Sequence, residues 1–248
     1  MLRASGLDLG YRDAPVLRDV GFSLDAGDIL AVVGHNGSGK TTLVKTLLGV
    51  LPALGGRFDW AAGARPKIAY LGQMTEFDRR FPIRVRDLAA MGAWRGLGWR
   101  GMIGPDRRAL IDAALDQTGV AAIADHPIHE ISSGQLQRAL FARTIVQDAP
   151  LILLDEPFSA VDQTTEAALL SLLSGWREEG RAIVVVLHDL SAVLQYATSA
   201  LLLGDGRARF GSPRATLTPE HLIDQRYLSG PQMRWLAQML DGAAPADV

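Results

Sequence analysis

The nine residues GHNGSGKTT, at positions 34–42, constrain this chain more than any other segment. They fit the pattern G-x-x-x-x-G-K-[ST] without a mismatch. The apolar run ILAVV at 29–33 precedes them and reads as a strand. The run LVKTLLGVL at 43–51 follows and reads as a helix. A strand, a glycine-rich loop and a helix in that order build an anion nest. The glycines let backbone N–H groups turn inward, and the helix N-terminus adds unpaired donors and the positive end of its dipole. Lys40 can then reach the outer phosphates of a nucleotide, and Thr41 can offer its hydroxyl to Mg²⁺. Gly34, His35, Asn36, Gly37, Ser38, Gly39, Lys40, Thr41 and Thr42 are therefore the candidate phosphate loop. The side chain of His35 is expected to point outward and is given no chemistry.

A chain of 248 residues is long enough for one large α/β domain, or a domain with a subdomain. Its 25 basic and 27 acidic residues leave a formal net charge of −2, which gives no electrostatic footprint for nucleic acid. It has no cysteine, so disulfides and thiolate metal sites are excluded, which fits a reducing compartment. No stretch reaches the roughly 18 consecutive apolar residues of a membrane helix. The longest apolar runs, such as 182–187, are strand-sized, and the first residues, MLRASGLDLGYRD, hold no apolar core of secretory type. Work at a membrane would need a partner that spans it.

Along the chain, LDLGY, VLRDVGFSL and DILAVV read as short strands, with a turn at 26–28. Pro52 and the pair Gly55-Gly56 are expected to end the helix after the phosphate loop. KIAYL at 67–71 reads as the next strand. From 74 to about 148 helical spacing takes over, in RVRDLAAMGAW and DRRALIDAALDQTGV, with the glycine-rich RGLGWRGMIG between them as a loop. The pattern predicts a helical subdomain inserted into an α/β core. LILL at 151–154 and AIVVVL at 182–187 read as strands buried on both faces. Helices are expected over 164–178 and from 191, and a hairpin around Gly204-Asp205-Gly206. The segment 219–240 reads as helical with a break near Gly230-Pro231, followed by a disordered end.

Two further segments carry chemistry. LILLDE at 151–156 is an apolar strand ending in two carboxylates. Downstream of a phosphate loop, Asp155 is placed to hold Mg²⁺ and Glu156 to accept a proton from an attacking water. In ISSGQLQRALFARTIV at 131–146, Ser132 can cap a helix beginning near Gln135, and Ser133 and Gly134 leave N–H groups at that helix's N-terminus. Such an end can take a phosphate. It can equally be an ordinary capped helix, and one chain cannot easily bring it onto its own phosphate loop.

Taken together, these segments resemble the nucleotide-binding subunits of ATP-binding cassette (ABC) transporters over about residues 2–222. GHNGSGKTT is similar to the Walker A motif and LILLDE to Walker B, with Glu156 matching the catalytic glutamate. Gln73 stands where the family has its Q-loop glutamine. ISSGQ, which includes Ser132, Ser133, Gly134 and Gln135, resembles the signature motif commonly written LSGGQ. SAVD at 159–162 resembles the D-loop, His188 the switch histidine, and Tyr11 the aromatic residue that stacks on adenine. Ile131 and Ser133 depart from the common signature, and Ser133 puts a side chain where glycine is usual.

The resemblance implies a P-loop NTPase core with a mixed β-sheet, a small antiparallel β subdomain and an α-helical subdomain at about 74–148. One ABC ATPase domain would cover 1–222, with a helical tail over 223–248. It implies ATP and Mg²⁺ as cofactors, with Thr41, Gln73 and Asp155 holding the metal and Glu156, His188, Lys40 and Gln73 serving hydrolysis. It further implies a second ATPase subunit, a homodimer in the simplest case. Each ATP would lie between one chain's phosphate loop and the other chain's Ser132 and Gly134.

The segment after Gln73 is similar to the ATPase subunits of zinc and manganese importers, at Glu76, Asp78, Phe81, Pro82, Asp87, Met91, Gly92, Leu97, Gly98 and Trp99; His188-Asp189-Leu190 also suits that group. That stretch would meet a polytopic membrane permease served by an extracytoplasmic substrate-binding protein. The ATPase would then lie in the cytoplasm, peripheral on the inner face of the membrane. An importer ATPase for an iron–siderophore, haem or cobalamin stays open beside it, as does a soluble ABC ATPase working on DNA or ribosomes. The last class usually carries coiled coils, tandem cassettes or a basic surface, none of which is visible here.

Overall fold

A computed structural model describes residues 1–73, 78–94, 103–159 and 161–227. The element order begins β1 (Leu2–Tyr11), β2 (Ala14–Leu24), β3 (Ile29–Gly34), α1 (Lys40–Leu48), β4 (Gly55–Trp60), β5 (Ile68–Leu71), α2 (Val85–Ala90), α3 (Pro105–Gln117) and α4 (Ser133–Gln147). It continues β6 (Leu151–Asp155), α5 (Gln163–Glu178), β7 (Ala182–Val186), α6 (Leu190–Tyr196), β8 (Ser199–Gly204), β9 (Arg207–Gly211), α7 (Pro213–Thr216) and α8 (Pro219–Asp224). The architecture is mixed α/β, with parallel-rich pairing and a separate small antiparallel sheet. The chain divides into two compact units, Met1–Ala64 with Val186–Val248, and Arg65–Val185.

In the first unit, β2-β1-β4 form the antiparallel sheet. Leu2, Ala4, Leu7, Leu9, Leu17, Val20, Phe22 and Leu24 are buried on β1 and β2, while Arg3, Arg18 and Gly21 between them are exposed. β3 is buried at all six positions and pairs in parallel with β8, which pairs antiparallel with β9. The β8–β9 turn holds Asp205 at φ 46° and Gly206 at φ 73°, the left-handed pair that a tight hairpin requires.

Two expectations fail in this unit. Helix α1 stops well before Pro52: Gly49 takes φ 73° and its N–H bonds the Thr46 carbonyl at 2.9 Å, a left-handed glycine stop. The Gly55-Gly56 pair opens β4 and pairs with β1. Gly56 has φ 75°, and a Cβ there would lie 2.2 Å from the Gly6 carbonyl oxygen, so glycine allows a close strand approach. The expected helix over 219–240 is helical only to Asp224 and turns at 225–227; its continuation from 228, the break near 230 and the end of the tail lie outside the described residues.

In the second unit, β5 and β6 pair in parallel and β7 follows in the order β5-β6-β7. β6 and β7 are buried at every position, as an apolar run covered on both faces should be. Among the described residues between β5 and β6 the regular elements are helical: α2, α3 and α4, with short turns of tighter helix. Pro105 opens α3, where its missing N–H costs nothing. Phe141 of α4 is fully buried and stacks on Phe158, after β6, and on Trp176 of α5, with centroids 6.3 and 6.2 Å away. Each such pair adds about 0.5–1.5 kcal/mol beyond its buried area.

Candidate functional site

In the first unit, the loop between β3 and α1 is built for an anion. Lys40 is buried, and its Nζ donates to the Gly34 and His35 carbonyls at 2.7 and 3.0 Å, holding the side chain along the loop. Gly37 and Gly39 take φ 83° and 101°, a region open to glycine. Gly34 is constrained differently: a Cβ there would lie 2.3 Å from Ser38 Oγ and 2.6 Å from the Leu203 carbonyl oxygen. The N-terminus of α1 has no side-chain cap and no acidic residue in its first turn. By contrast, Ser132, Asp162, Asp189 and Thr218 cap α4, α5, α6 and α8. The first-turn N–H groups of a helix have no partner within it, so those of Thr41 and Thr42 are offered to whatever lies in front of the loop. Ser38 Oγ is buried without a hydrogen-bond partner. A polyphosphate, rich in acceptors, fits this set of donors.

His35 differs from expectation. Its ring is half-buried, with Nδ1 2.7 Å from the Asn36 carbonyl and Nε2 enclosed without a partner, whereas Asn36 is exposed. Tyr11, at the end of β1, is 44% exposed and precedes a turn in which Arg12 and Asp13 both take positive φ. It presents a ring that a base can cover.

His188 lies in the same unit, just past β7. The N–H of Leu187 donates to the Val32 carbonyl of β3 at 3.1 Å, and the exposed His188 follows directly. The Tyr227 hydroxyl donates to the His188 carbonyl at 2.6 Å. Burial, and then the charge of Asp189, push the Tyr227 phenol above its ordinary value, so it stays a donor. Sequence reasoning missed Tyr227, because no local pattern links residues 39 apart.

In the second unit, Asp155 ends β6 at 2% exposure. Glu156 follows, half-buried, with φ 51°. A glutamate in the left-handed region costs about 1–3 kcal/mol, and such strain persists only where the surroundings impose it. Its carbonyl accepts from Ser159 N–H at 3.4 Å. Gln73 is half-buried two residues beyond β5. A carboxylate and an amide, those of Asp155 and Gln73, are oxygen donors of the kind Mg²⁺ takes.

Helix α4 begins at Ser133, two residues earlier than expected. Ser132 Oγ accepts from Gln135 N–H at 3.2 Å while Gln135 Oε1 accepts from Ser132 N–H at 2.9 Å, a reciprocal capping box. Ser133 sits in the first helical turn without a positive φ, so a side chain there brings no backbone strain. Its Oγ accepts from Arg79 at 3.3 Å, and Arg79 also donates to the Ile131 carbonyl. Arg79 was not singled out by the sequence. A Cβ on Gly134 would meet nothing, which leaves the helix end open. Of the segment after Gln73, Asp78 and Phe81 are exposed, Asp87 accepts from Arg84 N–H at 3.1 Å, and Gly92 is buried. Glu76, Leu97, Gly98 and Trp99, and Ala160 of the SAVD run, lie outside the described residues.

The family model described as ABC transporter matches residues 17–159. The chain belongs to the ABC transporter family. A zinc transport system ATP-binding protein of Treponema pallidum, TroB, is 37% identical over 225 residues, covering 89% of this chain and 85% of the relative. A manganese transport system ATP-binding protein of Listeria innocua, MntB, is 34% identical over 229 residues, covering 89% and 94%. Among solved structures, an inward-facing ABC transporter assigned to the metal-chelate type is similar at a TM-score of 0.82 and 31% identity, covering 92% of this chain and 89% of that one. This ABC transporter subunit is thus an ATPase whose hydrolysis is coupled to transport. Among the described residues no helix is long and apolar enough to cross a membrane. Membership of a transport-system ATPase family implies a membrane permease as partner.

Proposed function

We propose that this chain powers the import of a divalent metal ion, zinc or manganese, through a separate polytopic permease. The observation that carries the reading is the similarity, over 89% of the chain, to relatives named for zinc and for manganese transport. In this reading one cassette covers 1–222 with a helical insertion at about 74–148, and 223–248 is a tail. The ATPase works from the cytoplasmic face, and an extracytoplasmic binding protein delivers the metal to the permease. The metal is cargo and never touches this subunit.

The open N-terminus of α1, the glycines of 34–42 and Lys40 hold the phosphates of ATP, and Tyr11 covers adenine. Thr41, Gln73 and Asp155 hold Mg²⁺, which when bound neutralises charge on the phosphate oxygens. Glu156 takes the proton of the attacking water, a role worth about 10²–10⁴ in rate. His188 steadies the γ-phosphate. A second copy supplies Ser132, Ser133, Gly134 and Gln135 from its α4. ATP binds the closed pair more tightly than the open one and so shifts the population toward closure.

Iron is the competing cargo. A chelated iron transport protein of Yersinia pestis, YfeB, is 33% identical over 210 residues. One experiment tests both levels of the reading. Tagged Glu156→Gln is purified with ATP from native membranes, and uptake of labelled zinc, manganese and iron is compared in cells carrying the parent or the variant. Recovery of a permease together with loss of zinc or manganese uptake is the expected result. Loss of iron uptake alone would move the cargo to iron, and capture of ribosomes or DNA-processing proteins without a permease would overturn the transport role.

A further inference from the structure

Helix α4 grips the loop that follows Glu156 at two adjacent residues. Gln137 Nε2 donates to the Pro157 carbonyl at 2.5 Å, and one helical turn later Phe141 stacks on Phe158. Gln137 and Phe141 are four residues apart and so share one face of the helix. The gripped residues come directly after a glutamate held at φ 51°, so the contact falls where the backbone needs an external constraint.

Gln137 is an expensive choice for packing alone. It is 2% exposed, and its Oε1 is buried without a hydrogen-bond partner. Burying an unsatisfied polar atom costs about 1–3 kcal/mol; a leucine of similar size would remove Oε1 but would leave the buried Pro157 carbonyl without this donor. The amide satisfies the Pro157 carbonyl and at the same time fixes its direction, which a leucine could not do. The same helix begins at Ser132, Ser133 and Gly134.

We propose that Gln137 is a positioning residue that transmits occupancy of the α4 N-terminus to the Glu156 loop, so that ATP bound at one site of the dimer sets the base of the other. This rests on the reading given above, in which α4 of one chain meets the ATP held by its partner. Glu156 of that same chain serves its own ATP. When a γ-phosphate seats on α4, the helix carries Gln137 with it, and the bond to Pro157 turns the loop so that the Glu156 carboxylate meets its water. The two ATP sites then fire in concert because one rigid helix touches both.

The test uses the full chain in its membrane complex, with Gln137→Leu and Gln137→Glu beside the parent. ATP turnover is measured against ATP concentration and pH, nucleotide affinity with a fluorescent ATP analogue, and stability by thermal melting. In Gln137→Leu, turnover should fall by about 10–100-fold, the scale set by a misplaced reacting group. Its dependence on ATP should become hyperbolic where the parent's is sigmoidal, with nucleotide affinity kept and the melting temperature lowered by no more than the loss of one buried hydrogen bond. A glutamate at 137 can donate to Pro157 only while protonated, so Gln137→Glu should regain turnover as pH falls, which neither the parent nor Gln137→Leu should do. Parent-like turnover and sigmoidality in Gln137→Leu, or a loss matched by weaker ATP binding or by unfolding without rescue of Gln137→Glu at low pH, would overturn the proposal. A parent that hydrolyses no ATP would instead overturn the ATPase reading beneath it.

Discussion

The backbone N–H of Leu187 donates to the carbonyl of Val32 at 3.1 Å, so His188 leaves its strand beside the strand that ends in Gly34. That pairing fixes the point at which the backbone leaves the strand, while the His188 side chain stays exposed. His188→Ala should leave ATP binding nearly intact, because Lys40 and the α1 N-terminus remain. It should lower turnover by about 10²–10³, the scale seen when one preorganised donor is removed from developing charge. Single-turnover hydrolysis beside equilibrium ATP binding separates the two; equal losses in both would make His188 a binding residue only.

How much of this was legible beforehand follows from where the information lies. The phosphate loop, the strand into it and the two buried strands at 151 and 182 are local patterns, and their positions hold within a residue or two. β4 was not read because Gly55-Gly56 signals a turn and the alternation RFDW after it is only four residues long and holds no β-branched residue; pairing with β1 makes it a strand. The true stop of α1, Gly49, lay inside the apolar run LLGVL, which concealed the glycine that turns left-handed. At the site, the residues proposed to meet ligand have motif signals, while the contacts of Tyr227, Arg79 and Gln137 join residues distant in sequence and, for Gln137, start inside a helix pattern that reads as packing. Supporting residues of that kind become visible when the chain is folded.

Glu156 combines strain and function, and two substitutions separate them. Glutamine keeps the size and the hydrogen-bond geometry but cannot take a proton. Glu156→Gln should therefore bind ATP, hold the dimer closed and turn over about 10²–10⁴ more slowly. Glycine accepts φ 51° without penalty, so Glu156→Gly should lose turnover equally while unfolding at a higher temperature, by roughly the 1 kcal/mol or more of strain released. Size-exclusion chromatography with ATP, a phosphate-release assay and thermal melting read the three quantities. Parent-like hydrolysis by Glu156→Gln would remove Glu156 from the role of base.

Gly92 shows why a small residue can matter far from the chemistry. A Cβ there would lie 2.3 Å from the Arg143 carbonyl oxygen and 2.9 Å from Val146 Cβ, both on α4. The first is backbone and cannot swing away, so the turn after α2 would have to lift off α4. Gly92→Ala should destabilise the protein by about 1–3 kcal/mol, the usual cost of overpacking. Chemical denaturation measures it. Since α4 carries the signature residues, turnover should fall along with stability, and an unchanged denaturation midpoint would show that the contact relaxes freely.

Asp162 gives the second unit a titratable helix cap. The Thr165 N–H donates to its carboxylate at 2.9 Å and the Thr165 hydroxyl at 2.9 Å, and these bonds, the backbone one first, hold the carboxyl below its ordinary value of 3.8. The folded-state value is depressed, so the stabilisation is present above the unfolded value and is lost as pH falls through the folded one. The cap should thus weaken only below about pH 4, and stability at neutral pH should be flat with respect to it. Asp162→Asn keeps an oxygen that accepts from Thr165 N–H but cannot ionise. Melting curves of parent and variant from about pH 6 to about pH 2 should run parallel at first and then converge, the parent losing stability faster because it must take up a proton as the cap is undone. Curves that stay parallel to the acid end would show that Asp162 carries the same charge in the folded and unfolded chains, and the cap would then be a matter of geometry alone.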